Sequence, residues 1–154
     1  MSSQIRISDF LKPDHVAVDM VAASKPHLLR LLSEKAAEAL GIQSEDILDA
    51  LASRETLGST GVGEGVALPH APIEDVAAPF GLVVRLDKPV DFDAVDDNPV
   101  DIVFMLLFPA EDKASCLQAL ACIAKRLRMP DVLKKLRATS DRQQLYSALA
   151  GDDP

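Results

Sequence analysis

The segment from Arg54 to Ala71, RETLGSTGVGEGVALPHA, gathers four of the chain's seven glycines (Gly58, Gly61, Gly63 and Gly65) and closes on Pro69-His70. Glycine collects where the backbone takes positive φ or passes close to another group. Histidine offers a nucleophilic or proton-transferring nitrogen near neutral pH, and arginine grips phosphate through paired hydrogen bonds. Together these types point to a phosphohistidine: His70 accepts a phosphoryl group and gives it away. A free imidazole pKa of about 6.5 keeps the attacking nitrogen largely neutral. The rest of the task is positioning and charge stabilisation. Arg54, the backbone N–H groups of Gly58, Gly61 and Gly63, and the hydroxyls of Ser59 and Thr60 are candidates for it. No cofactor or metal enters this chemistry.

Two other phosphate loops do not fit. A P-loop needs lysine after its last glycine, whereas Glu64 follows Gly63. The dinucleotide fingerprint needs a strand before it and a helix after it, with different glycine spacing. The residues alone leave a plainer reading open: a loop built for turns, Arg54 as a helix C-terminal cation and His70 as a packed residue. Glu64 reads as a solvated turn residue. His15, at a strand start, and His27, in the first turn of a helix, lack metal-ligand spacing and read as surface or packing residues. Asp91, Asp93, Asp96 and Asp97 form an acidic turn, a solvated loop that could help steer a basic partner. Cys116 and Cys122 lie six apart on different faces of a helix and read as reduced thiols.

The elements that carry these residues follow from periodicity and punctuation. A short helical turn after Ser8, its expected N-cap, stops near Pro13. His15 to Met20 alternates as a strand. Ser24 and Pro26 open a helix that runs to Leu40 under a Gly41 cap. A second helix runs from Ser44 to Arg54 or Glu55 and delivers the chain to the glycine loop. Val66 to Leu68 leaves that loop as a short strand, and Phe80 to Leu86 is another. Asp101 to Phe108, DIVFMLLF, is apolar almost throughout, as in a strand covered on both faces. Helices follow at Ala114 to Arg128, Pro130 to Ala138 and Ser140 to Leu149, the last with Ser140 and Gln143 in capping-box register. The expected fold is α/β: one three-layer domain over 1–154, with a mixed sheet of four to five strands between helices and flexible ends at about 1–4 and 151–154.

Composition sets the surroundings. The chain has 154 residues, 48% hydrophobic and 26% charged, the balance of a single globular domain. A net charge of −8 argues against nucleic acid or an anionic membrane and suits a basic protein partner. No apolar run resembles a signal peptide or a membrane span, so a cytoplasmic protein without direct membrane insertion is expected.

The Arg54–Ala71 motif closely resembles the active-site signature of the fructose/mannitol-type enzyme IIA proteins of the bacterial phosphotransferase system. The likeness extends over most of the chain, through PVDFDAVDDNPVDIVFMLLFPAED (Pro89 to Asp112) and the closing AKRL…LKKLRAT…LYSAL pattern. It is strongest to the nitrogen-related regulatory members. The resemblance implies a phosphotransferase-type carrier and not an independent kinase, with His70 phosphorylated and Arg54 stabilising the phosphate. Phosphate would pass from phosphoenolpyruvate through an enzyme I-like protein and an HPr-like phosphocarrier to His70. The two phosphorylation states would then control targets such as potassium transporters or sensor kinases. Many members carry a second histidine early in the helix after the FPAED-like segment. Cys116 occupies that place here and is a candidate to support His70 from behind. Two alternatives stay open: a sugar-specific IIA component serving a fructose- or mannitol-type permease, and a binding module of the same fold that takes no phosphate.

Overall fold

The computed structural model describes residues 5–151, so most of both termini expected to be flexible lies outside the described residues. Its central element is β6 (Val100–Pro109). Side chains alternate across a strand, so an unbroken apolar run must be covered twice. Val103, Met105 and Leu107 enter one buried cluster, while Ile102, Phe104, Leu106 and Phe108 enter the other. The antiparallel partner β5 (Phe80–Val90) does the same, sending Leu82 and Val84 to the first cluster and Val83 to the second.

Around this pair the sheet has six strands in the order β1-β5-β6-β3-β2, with β4 also on β6. β1 (Val16–Met20) runs parallel to β5. β2 (Gly61–Gly63) and β3 (Val66–Ala67) form a small hairpin, and β4 (His70–Ile73) continues the line of β3 along β6. The sheet is mixed, as the α/β reading requires, and larger than four or five strands because the glycine segment contributes strands of its own. α1 (Lys25–Leu40) and α2 (Ser44–Thr56) supply Leu28, Leu32, Ile47 and Leu51 to the first cluster. α3 (Lys113–Leu127), α4 (Pro130–Ala138) and α5 (Arg142–Tyr146) close the second through Ala119, Ile123, Leu136 and Leu145. The result is three layers. Among the described residues, no helix is long and apolar enough to cross a membrane.

Caps explain where helices start, and two expectations about them need correction. Ser24 caps α1 by accepting the His27 N–H at 3.2 Å, and Gly41 ends it in the left-handed conformation, as expected. Ser8, however, lies inside a 3-10 turn (Ile7–Asp9), and Asp9 accepts the Arg6 N–H at 2.8 Å. Pro13 does not stop a helix but opens a second 3-10 turn (Pro13–His15), where its missing N–H costs nothing. At α5 the cap is Asp141, which accepts the Gln143 N–H at 2.8 Å, and not Ser140; an anionic oxygen is the stronger acceptor. α5 is also shorter than expected, its continuation at Ser147–Gly151 widening into a π turn.

Candidate functional site

Arg54 sits in the last turn of α2, a position favourable for a cation. The helix ends two residues later, at Thr56: the Gly58 N–H reaches back to the Glu55 carbonyl at 3.1 Å and the chain leaves with φ +145° at Gly58. Turning back, the Gly58 carbonyl accepts from Arg54 Nη1 at 2.9 Å. The guanidinium is thereby held over the start of β4, against which α2 packs.

His70 opens β4. Strand alternation sends Ala71 and Ile73 into the core and leaves His70 half-buried on the opposite side. Its Nδ1 lies 2.8 Å from the Leu68 carbonyl. A carbonyl can only accept, so Nδ1 carries the proton and Nε2 the lone pair. Arg54 Nε donates to Nε2 at 3.4 Å, which a protonated nitrogen would not permit. Desolvation holds the imidazole pKa below 6.5; the Leu68 carbonyl opposes this, Arg54 adds to it and Glu55 opposes it again. At neutral pH the ring is a neutral base with one defined nucleophilic nitrogen.

The glycine loop between them is tightly engaged. The Thr60 N–H donates to Glu55 Oε1 at 3.1 Å, and the Thr60 hydroxyl donates to Glu55 Oε2. The Ser59 hydroxyl donates to the Phe92 carbonyl at 2.6 Å and accepts the Gly61 N–H at 3.0 Å. These donors therefore hold the loop to the protein in the structure described. Gly61 must be glycine for a packing reason: a Cβ there would lie 2.9 Å from the Ala94 Cβ. Gly63, at φ +104°, is less crowded: a Cβ would lie 3.3 Å from Asp96 Oδ2, the atom that accepts the Glu64 N–H at 3.0 Å. Glu64 itself is exposed, with φ 59°, as a turn residue should be. Gly65 combines φ +77° with a position where a Cβ would meet Arg137 Nη2 at 2.5 Å.

The structure thus joins His70, Arg54 and Gly58 by direct hydrogen bonds, whereas Ser59, Thr60 and Gly61 are tied to Phe92 and Glu55 and Gly63 lies against Asp96. Cys116 is buried in the second cluster, and no hydrogen bond joins it to His70 among the described residues. Burial pushes its thiol up to about 11, so it stays protonated. Cys122 is also a free thiol, donating to the Ile5 carbonyl at 3.5 Å. His27 accepts the Ala23 N–H at 2.9 Å and serves the start of α1. Three participants were not foreseen: the Leu68 carbonyl, Glu55 and Lys25, whose Nζ pairs with Glu55 at 2.9 Å. A backbone carbonyl leaves no sequence signal. Glu55, adjacent to Arg54 in the motif, could have been singled out; Lys25, on another helix, could not.

Residues 9–151 match the family described as "Phosphoenolpyruvate-dependent sugar phosphotransferase system, EIIA 2". The nitrogen regulatory protein of Bradyrhizobium diazoefficiens is 44% identical over 144 residues, covering 94% of either chain. A fructose-specific EIIA component of Haloferax volcanii is 33% identical over 94% of either chain. The crystal structure of the nitrogen regulatory protein IIA-Ntr from Neisseria meningitidis superposes with a TM-score of 0.88 at 30% identity, covering 94% of this chain and 99% of that one. The chain belongs to the EIIA 2 family of the phosphoenolpyruvate-dependent phosphotransferase system, among relatives that include the nitrogen regulatory proteins.

Proposed function

We propose that this chain is a cytoplasmic regulatory phosphoryl carrier that accepts phosphate on His70 Nε2 from an HPr-like phosphocarrier. The Nε2 lone pair attacks phosphorus, the bond from phosphorus to the donor's nitrogen breaks, and that electron pair returns to the donor. The His70 ring gains positive character as the new bond forms, and the Nδ1–H bond to Leu68 strengthens with it. Arg54 exchanges its contact with Nε2 for the phosphoryl oxygens; its Nη2 has no protein acceptor among the described residues and is available to them. The loop from Gly58 to Gly63 frames this cation and keeps it over the imidazole.

One observation carries the reading: Leu68 fixes the tautomer of His70 while Arg54 faces the nitrogen left unprotonated. The relatives named as nitrogen regulatory proteins support a regulatory output; we propose targets such as potassium transporters or sensor kinases for it. The test is a purified relay of phosphoenolpyruvate, an enzyme I-like protein, an HPr-like carrier and this chain. Acid-labile, base-stable label should appear on the wild type and not on His70→Ala. A charged carrier that labels neither protein contradicts the proposal and leaves a binding module of the same fold.

The fructose-specific relative favours a second reading, a sugar-specific component feeding a separate permease. Selective loss of growth on one sugar in a deletion strain would support it against the regulator.

A further inference from the structure

We infer that Lys25 and Glu55 form a charge-balanced positioning pair for phosphoryl transfer at His70, an inference that rests on the carrier reading above. The starting point is two charges that local rules disfavour. Lys25 is the first residue of α1, where the helix dipole opposes a cation, and Glu55 lies in the last turn of α2, where it opposes an anion. Both side chains are largely buried, 16% and 6% exposed, and they meet at 2.9 Å. A buried ion pair seldom repays its desolvation in stability. Its presence here is better explained by what it holds.

Two routes lead from the pair to the glycine loop. Glu55 takes both the N–H and the hydroxyl of Thr60. Lys25 Nζ donates to the Phe92 carbonyl at 3.4 Å and stands 4.4 Å from the centre of the Phe92 ring. That same carbonyl accepts the Ser59 hydroxyl, which in turn accepts the Gly61 N–H. Both routes close on the loop whose Gly58 carbonyl steadies Arg54 against His70. The pair is therefore the far end of the frame that aims the cation.

Charge balance gives the second half of the role. Glu55 alone would set an uncompensated anion behind the loop, where the phosphoryl charge must arrive. Lys25 cancels it while leaving the carboxylate free to order Thr60.

The test uses the full chain in the purified relay, with the rate at saturating carrier and the half-saturating carrier concentration measured separately, and thermal unfolding as a check on folding. Lys25→Met should lose on the order of tenfold or more in rate, with half-saturation within about twofold of wild type. Glu55→Gln should lose less, because its amide still reaches Thr60 and the Lys25 cation it leaves keeps the Phe92 carbonyl at 3.4 Å and the exposed Asp93 carboxylate at 3.9 Å. The double variant should run faster than Lys25→Met alone, and Lys25→Arg should restore most of the rate. Wild-type rates in folded Lys25→Met and Glu55→Gln chains would overturn the inference. So would a change confined to half-saturation, which would make the pair a docking contact. A double variant no faster than Lys25→Met would overturn the charge balance. If Lys25→Met does not fold, the double variant, with no buried charge, decides the matter: a wild-type rate there overturns the pair's role. An unlabelled wild type contradicts the carrier reading itself, whatever the variants do.

Discussion

Two histidines in this molecule look alike by one measure and differ by every other. His15 and His70 are both half-buried, and desolvation pushes both imidazoles below 6.5. His15 stands at the entry to the edge strand β1, with its ring centre 4.7 Å from that of Phe80 and its buried Nδ1 without a hydrogen-bond partner among the described residues. Beside it opens a groove of about 480 Å³ lined by Lys35, Glu38 and Arg142. His70 has its two nitrogens assigned by a carbonyl and a guanidinium instead. A shifted pKa therefore does not identify a site; directed partners do. Nor does a cavity: small substrates select concave pockets, whereas a carrier must present its histidine to another protein.

The sharpest way to break the comparison is to delete each ring. His70→Ala should abolish phosphoryl label entirely, while His15→Ala should leave its extent at wild-type level in the relay assay. Label lost through His15 and retained without His70 would invert the assignment.

Arg54 sharpens it next. Arg54→Lys replaces a planar fork with a point charge, and we expect a loss on the order of tenfold to a hundredfold in transfer rate, with Arg54→Met slower still. Single-turnover transfer from the charged carrier measures it.

Acidity probes both rings at once. On the proposed function His70 would accept phosphate only when neutral, and its folded pKa lies below 6.5. The acid limb of the transfer rate should therefore fall below that value, with the rate flat above it. The stability sign follows from the same direction. Between the depressed folded value and 6.5 the unfolded chain binds more protons than the folded one, so stability falls as pH falls through that window. Denaturant unfolding at several pH values in the His15→Ala and His70→Ala chains should divide this loss between the rings.

The smallest effect expected is at Cys116. Cys116→His places a second imidazole on α3 and should change the transfer rate without moving the phosphate from His70. Burial of a ring where a thiol sat in the second cluster should also lower the melting temperature. Phosphate found on residue 116 would contradict the expectation.

Much of this was legible in the residues. The run DIVFMLLF announces a strand covered twice because period-two alternation has no polar face to expose. The glycine loop was legible as a loop, but its strands β2 and β4 were not: each is too short for periodicity, and Pro72 hides the second. At the site, His70 and Arg54 could be chosen by type and spacing. The partners that order them could not, because a carbonyl at Leu68 and a lysine on α1 meet them only through tertiary packing. Ser59 and Thr60 illustrate the converse. Their hydroxyls suggest phosphate donors, yet the fold turns them toward Phe92 and Glu55.

The most direct test of the central claim is nitrogen NMR of the imidazoles in the phosphorylated, histidine-labelled chain. The account predicts phosphate on Nε2 of His70, with Nδ1 still protonated against Leu68. Phosphate on Nδ1, or on any other side chain, would contradict it.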